Sequence, residues 1–256
     1  MGGAMLKSYV SQYPNDEVYL IDPDPNCLHR FAGLRNVVRS QFPCMGLHGA
    51  DIVVLATKPQ AAPTAIEQIA PLLQPRQVII SVMAGITIDN LAESLDHAKV
   101  VRAMPNIPAQ IGQGVSVCHP SHAVTEKDWR SVGRVLGACG SYMRVSSEKS
   151  VDVATAISGS GPAYGFYLAE HMCNAAMEMG FDEKEARFLV QLTLLGSLQL
   201  WESSPLSAEH LRHQVTSPGG TTEAAITYFD KRELGFHIRQ GIRKSLERAV
   251  ELSKKK

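Results

Sequence analysis

The spacing of hydrophobic positions along this 256-residue chain changes once, near residue 148, and the change divides it in two. Before that point, short runs of continuously apolar residues alternate with longer mixed stretches. The runs are Glu17-Val18-Tyr19-Leu20-Ile21 and segments 51–56, 77–82, 99–104 and 114–118. Apolar strands separated by crossovers predict a parallel sheet covered on both faces. Residues 1–13 place Met5, Leu6, Tyr9 and Val10 on one stripe, which predicts an opening helix. A further helix is expected over about 125–139, followed by a strand over 141–145.

After residue 148 the pattern is helical throughout. A lead-in over 151–158 reaches Ser158-Gly159-Ser160-Gly161-Pro162-Ala163-Tyr164, and a mostly apolar helix then runs to about Met179 and stops at Gly180. Asp182 is placed to cap the next helix, whose Phe188-Leu189-Val190 and Leu192 to Leu198 leave little polar face. A helix apolar nearly all round must be buried, and a small helical domain has few interior slots for two of them. The 160–200 helices are therefore expected to form the interface of an obligate homodimer. Two more helices follow, over about 222–231 and 237–253.

Composition narrows the function. Hydrophobic residues make up 45% and charged residues 20%, with Lys plus Arg and Asp plus Glu equal at 25 each. That describes a folded globular protein with no electrostatic footprint for nucleic acid or a membrane surface. Lys254-Lys255-Lys256 is expected to be a solvated tail. The five cysteines lack C-x-x-C spacing, and the nine histidines lack H-x-x-x-H or H-E-x-x-H spacing. Reduced thiols in a cytoplasmic protein are expected, with no disulfide frame and no metal site. No run approaches membrane-spanning length, and Leu6 stands where a myristoylation signal needs Ser or Thr.

Two regions carry candidate chemistry. One is Ser217-Pro218-Gly219-Gly220-Thr221-Thr222, a stiffened turn lying before Glu223-Ala224-Ala225-Ile226. Its glycines let successive N–H groups converge on an anion, with Thr221 or Thr222 as N-cap and the positive end of a helix dipole behind. The Thr222 hydroxyl adds a donor that also accepts. The other region is the carboxyl edge of the sheet, where open α/β sheets bind ligands. Ala56-Thr57-Lys58-Pro59, Met83-Ala84-Gly85 and Met104-Pro105-Asn106 each follow a strand. Lys58 suits a ribose or phosphate, Ala84-Gly85 lets a flat ring approach the backbone, and Asn106 donates and accepts.

A dinucleotide-binding sheet should open with a strand and a G-x-G-x-x-G turn. This chain opens on Met1-Gly2-Gly3-Ala4-Met5, which reads as the tail of such a turn. Counting Gly2 as the third glycine puts Asp22, at the end of an apolar strand, 22 − 2 = 20 residues on. A ribose-binding acid is expected about 20 residues after the fingerprint. Loss of a central first strand would leave two unpaired edges, so an N-terminally clipped form of a longer protein is expected. Ser158-Gly159-Ser160-Gly161-Pro162 is not a G-x-S-x-G elbow, because no strand precedes it. Its glycines and Pro162 suit a tightly packed helix start instead.

These stretches together resemble the pyrroline-5-carboxylate reductases, over nearly the whole chain. The marks are Met1-Gly2-Gly3-Ala4-Met5, Ala56-Thr57-Lys58-Pro59-Gln60, Met104-Pro105-Asn106, Ser158-Gly159-Ser160-Gly161-Pro162-Ala163-Tyr164 and Val215-Thr216-Ser217-Pro218-Gly219-Gly220-Thr221-Thr222. The resemblance implies a Rossmann-like doubly wound α/β domain over 1–147 and an all-α dimerisation and substrate-binding domain over 148–256. It implies a homodimer or ring of dimers that uses NADPH, with NADH as second donor, to reduce 1-pyrroline-5-carboxylate to L-proline at the end of proline biosynthesis. It further implies that the substrate carboxylate sits on Gly219, Gly220 and Thr221 with help from Ser217, while Thr222 faces the imine nitrogen. Glu202 matches an acid that the family places near the partner's substrate loop. Gly2, Asp22, Ala56, Thr57, Lys58, Pro59, Met83, Ala84, Gly85 and Asn106 would line the cofactor.

Two departures bear on the cofactor. The G-x-G turn is missing, and Phe42-Pro43-Cys44-Met45 replaces a polar turn that usually carries an Asn. Asp22 favours a free 2′-hydroxyl, whereas Arg30 or Arg35 would serve a 2′-phosphate. A β-hydroxyacid dehydrogenase or imine reductase would place a Lys in 160–170, and there is none. An inactive, dimer-forming scaffold without cofactor binding is the alternative.

Overall fold

The computed structural model describes residues 1–254; the expected tail residues Lys255 and Lys256 lie outside them. The chain divides into two compact units, Met1–Ser160 with Ser245 onward, and Gly161–Lys244.

The first unit runs α1 (Gly2–Gln12), β1 (Val18–Ile21), α2 (Pro25–His29), β2 (Val37–Ser40), α3 (Met45–Gly49), β3 (Ile52–Leu55), α4 (Ala62–Ile69), β4 (Val78–Ser81), α5 (Ile88–Leu95), β5 (Val100–Met104), β6 (Gly114–Pro120), α6 (Glu126–Gly137), β7 (Gly140–Arg144) and α7 (Lys149–Ala154). Strands β3 to β7 form one sheet in that order, and β1 pairs in parallel with β2 in a separate ribbon. Among the described residues no strand joins the ribbon to the larger sheet.

Every residue of β4 and β5 is buried, as continuous apolar runs require. Their side chains alternate between two cores. Ile79 and Val100 pack with Leu91 and Leu95 of α5, while Val78, Ile80, Val101 and Ala103 pack with Met5 of α1 and with Val132 and Leu136 of α6. Helices therefore cover both faces, as the pattern predicts. The ribbon has its own small core, Leu6 and Val10 of α1 against Phe31 and Val37.

Two features depart from the expected sheet. Strand β2 lies in a stretch read as helix or loop, because only Val37 is buried and Arg39 and Ser40 break the apolar run. Strand β6 runs antiparallel to β5. Its connection, 105–113, is a short 3₁₀ turn over Ile107–Ile111 ending at Gly112, where φ is +70°. A parallel return needs a crossover of roughly a dozen residues or more, so so short a link enforces a reversal.

A buried ionic cluster ties α7 to the sheet. Arg102 of β5 is 2% exposed and donates to Glu148 Oε1 at 3.1 Å and Asp152 Oδ1 at 2.6 Å. Glu148 also accepts the Ile88 N–H, at 2.8 Å. Arg102 Nε is the only buried side-chain N or O atom of the described residues without a partner.

The second unit carries α8 (Gly161–Glu178), α9 (Glu183–Ser203), α10 (Ala208–Gln214), α11 (Thr221–Lys231) and the start of α12 (Leu234–Lys254), whose end belongs to the first unit. Asp182 caps α9 in a capping box with Glu185, as its position predicts. The Ser158-Gly159-Ser160 stretch is a π-turn over Thr155–Gly159, closed by Ser160 N–H donating to Thr155 O at 2.9 Å. Pro162 then sits in the first turn of α8, where its missing N–H costs nothing. Within Gly161–Lys244 only Ala186 and Val190 are buried. Phe166 and Tyr167 of α8 are 68% and 65% exposed, and Phe188, Leu192, Leu195 and Leu198 of α9 are all at least half exposed.

Candidate active site

Candidate functional residues fall in both units, and each set is described by itself. In the first unit, the parallel strands β3, β4 and β5 end together, so Ala56 to Pro59, Met83 to Gly85 and Asn106 gather at one edge. The amino end of α1 joins them: a Cβ added to Gly2 would stand 2.8 Å from Ala56 Cβ. Small residues at both positions are what let helix and strand approach. The first intrahelical bonds of α1 run from Ala4 and Met5 to Met1 O. The N–H groups of Gly2 and Gly3 therefore point outward from a helix N-terminus, the arrangement that accepts a phosphate.

The individual residues at this edge do different work. Lys58 is exposed and has no ion-pair partner among the described residues. Thr57 Oγ1 donates to Met83 Sδ at 3.2 Å, which links two of the loops. Met83 is buried in the core at 2% exposure. Gly85 has φ +74°, and an added Cβ would lie 2.8 Å from Leu252 Cβ, so helix packing accounts for this glycine. Asn106 is buried and its Oδ1 accepts the Val115 N–H at 2.9 Å, holding the 3₁₀ turn against β6. Its amide nitrogen remains as a donor.

Asp22 follows β1 and its N–H bonds Ser40 O at 3.1 Å. Its Oδ1 accepts the Asp24 N–H at 2.9 Å, and Asp24 in turn caps α2. A hydrogen bond to Asp22, with burial and its charge, raises the pKa of the Cys27 thiol. Asp22 is thus a half-buried acceptor held in place from two sides. The residues of this edge (first-turn N–H groups, an open ammonium and a spare amide), with the Asp22 carboxylate at the end of the separate ribbon, are of the kinds that bind the phosphates, hydroxyls and carboxamide of a nicotinamide dinucleotide.

The second set lies wholly within the helical unit. Thr221 and Thr222 occupy the first two positions of α11, and Gly220 is the N-cap in place of either threonine. A Cβ on residue 220 would stand 2.5 Å from Ser217 Oγ and 3.0 Å from Ser217 O, so a larger residue there would displace the Ser217 side chain. Gly219 has φ +73°, the left-handed region that excludes most side chains. Two of the N–H groups read as cup donors are engaged. The Gly220 N–H donates to Ser217 O at 3.0 Å, and the Gly219 N–H to Glu223 Oε2 at 2.7 Å. The N–H groups of Thr221, Thr222 and Glu223 and the hydroxyls of Ser217, Thr221 and Thr222 have no partner among the described residues. Those groups make a compact set of donors at a helix amino end. Glu202 is exposed near the end of α9. Glu223 escaped the sequence reading, although an acid three residues after an N-cap signals this kind of reach-back.

The fold and the dinucleotide-shaped edge define a Rossmann-type oxidoreductase. Residues 1–85 match the family described as "NADP oxidoreductase coenzyme F420-dependent", and residues 148–252 match "Pyrroline-5-carboxylate reductase dimerisation". The chain is 38% identical over 205 residues to a pyrroline-5-carboxylate reductase of Pseudomonas aeruginosa, covering 80% of this chain and 75% of that one. The solved pyrroline-5-carboxylate reductase of Coxiella burnetii superposes with a TM-score of 0.89 at 31% identity, over 99% of this chain and 96% of that one. A pyrroline carboxylate reductase from Plasmodium falciparum, solved with NADP bound, superposes with a TM-score of 0.87 at 24% identity, over 99% and 96%. The chain belongs to the pyrroline-5-carboxylate reductase family.

Proposed function

We propose that this protein reduces 1-pyrroline-5-carboxylate to L-proline, the last step of proline biosynthesis, with NADPH as hydride donor and NADH as the second choice. One observation carries the assignment of the substrate end: the free donors at the start of α11, beside a threonine hydroxyl that also has no partner. The substrate is a five-membered cyclic imine bearing a carboxylate. Its carboxylate binds the N–H groups of Thr221 and Thr222 and the Ser217 hydroxyl, within a turn whose shape Gly219 and Gly220 supply. Thr222 Oγ1 faces the ring nitrogen and steadies the proton that it carries in the product. Glu202 approaches the corresponding loop of a partner subunit.

The nicotinamide, when bound, supplies the hydride for the imine carbon. Gly2 and Gly3 hold its diphosphate, Asp22 a ribose hydroxyl, and Lys58 with Thr57 a ribose or phosphate. Ala56, Pro59, Met83, Ala84 and Gly85 shape the edge, and the Asn106 amide lies beside it. The protein's contribution is positioning more than acid–base power. NADP in the Plasmodium falciparum structure and in the description of the family matching residues 1–85 supports the choice of donor.

The working form is a homodimer, or a ring of dimers, of a cytoplasmic enzyme. The open apolar faces of α8 and α9 and the family match over residues 148–252 support that reading. We place the dinucleotide domain at 1–147 and the dimerisation and substrate domain at 148–256. An inactive dimer-forming homologue is not favoured, because likeness to a reductase extends over 99% of this chain.

Steady-state kinetics of Thr222→Ala test the assignment. Loss of one hydrogen bond to a charge-bearing nitrogen lowers kcat by about ten- to a hundredfold, with the dissociation constant for NADPH within about twofold by fluorescence titration. A parallel loss of nucleotide binding would contradict the role given to this residue.

A further inference from the structure

The Gly219 turn is exposed, and its left-handed residue has no side chain to restrain it. Glycine in such a position has the greatest backbone freedom of any residue. One bond crosses the turn through the backbone, Gly220 N–H to Ser217 O. The other comes from a side chain, Glu223 Oε2, which accepts the Gly219 N–H at 2.7 Å. Glu223 belongs to the same helical turn as Thr221 and Thr222. Its carboxylate therefore ties the glycine of the turn to the helical part that carries the open donors.

We propose that Glu223 is a positioning residue for the substrate carboxylate: it locks Gly219 so that the Ser217 hydroxyl and the Thr221 and Thr222 N–H groups stay aimed at one point. The proposal rests on the reductase reading for its ligand, but its geometry does not. The lock has an electrostatic cost. A fixed anion sits at the positive end of the α11 dipole, where the substrate's own carboxylate must also bind. The acceptor atom and the charge thus act in opposite directions, and substitution separates them. Glutamine keeps an oxygen within reach of the Gly219 N–H and removes the charge; alanine removes both.

The test uses the full chain with 1-pyrroline-5-carboxylate and NADPH. Glu223→Ala is expected to raise KM for the imine about tenfold while kcat stays within about threefold. NADPH affinity, measured by fluorescence titration, stays at the wild-type value. Glu223→Gln restores KM to the wild-type value or below. A merely helix-stabilising acid predicts that both variants melt earlier with KM unmoved, and that result overturns the proposal. So does a lower KM in Glu223→Ala, which would make Glu223 a competitor of the substrate. Amide exchange of Gly219 by NMR decides independently of turnover: about tenfold faster exchange in Glu223→Ala, reversed in Glu223→Gln, is expected. If wild-type protein does not reduce the imine, the substrate assignment fails while this measurement still judges the lock. Unchanged exchange sinks the lock itself.

Discussion

The two units use their apolar residues in opposite ways. Around the sheet, Ile79, Ile80, Leu91, Val100 and Val101 are wholly buried by helices of the same chain. In Gly161–Lys244, the aromatic and leucine side chains of α8 and α9 stand open, and only Ala186 and Val190 are covered. At about 25 cal/mol per Å² of apolar surface, leaving so many large side chains in water forfeits the main favourable term of folding. The lesson is that the first unit is complete in its hydrophobic bookkeeping and the second is written for a partner. An open apolar surface of that extent marks an interaction site, not a stable exterior.

The comparison breaks most sharply at the open face. Leu195→Glu, on the exposed stripe of α9, would place a charge where a second copy packs in the proposed dimer. Burying an unpaired carboxylate costs several kcal/mol, so association is expected to weaken by about a thousandfold or more. Sedimentation should show monomers, with the sheet unit still folded. A dimer that survives this change would mean that α9 is covered by something else.

Inside the first unit the sensitive point is ionic. Asp152→Ala leaves Arg102, 2% exposed and with its Nε already lacking an acceptor, short of its closest counter-charge. Removing one partner of a buried pair is expected to cost about 3–5 kcal/mol, read from the denaturation midpoint. The same substitution should leave dimerisation unchanged, which sharpens the division between the two regions.

A smaller effect comes from the cap of α6. Burial raises the pKa of Asp128, and the Thr125 N–H and hydroxyl together with Lys99 outweigh it and lower the pKa to about 2. A carboxylate whose folded pKa is depressed stabilises the fold above its unfolded value, near pH ~4, and loses that contribution as pH falls towards 2. Asp128→Asn should therefore be less stable than wild type by about 1 kcal/mol at neutral pH, with the gap closing below pH ~4. A gap independent of pH would assign the loss to packing.

Much of this organisation was legible in the chain. Continuous apolar runs located β3, β4 and β5, of which β4 and β5 are buried on both faces, and the change to helical spacing located the open helices. The likeness carried by Ser217 to Thr222 pointed to the family. What escaped depends on contacts distant in sequence or on short segments. Strand β2 is held by pairing with β1 and not by its own four residues. Gly85 answers to Leu252, far along the chain, so no local pattern distinguishes its packing role from a ligand's. The N-cap of α11 fell on Gly220, one residue before the threonines, which take the first two helical positions instead.

The ribbon of β1 and β2 makes a different demand. Lacking ladder bonds to the larger sheet, it is fastened to its unit by the packing of Leu6 and Val10 on Phe31 and Val37 and by the ion pair of Asp16, just before β1, with Arg134 of α6 at 3.0 Å. Side chains hold it where backbone hydrogen bonds join the strands of the larger sheet. Asp22 closes this ribbon, so under its proposed role the adenosine end of a nucleotide would bear on a part of the unit held by side chains and not by the ladder of the larger sheet, and binding there would add to its stability.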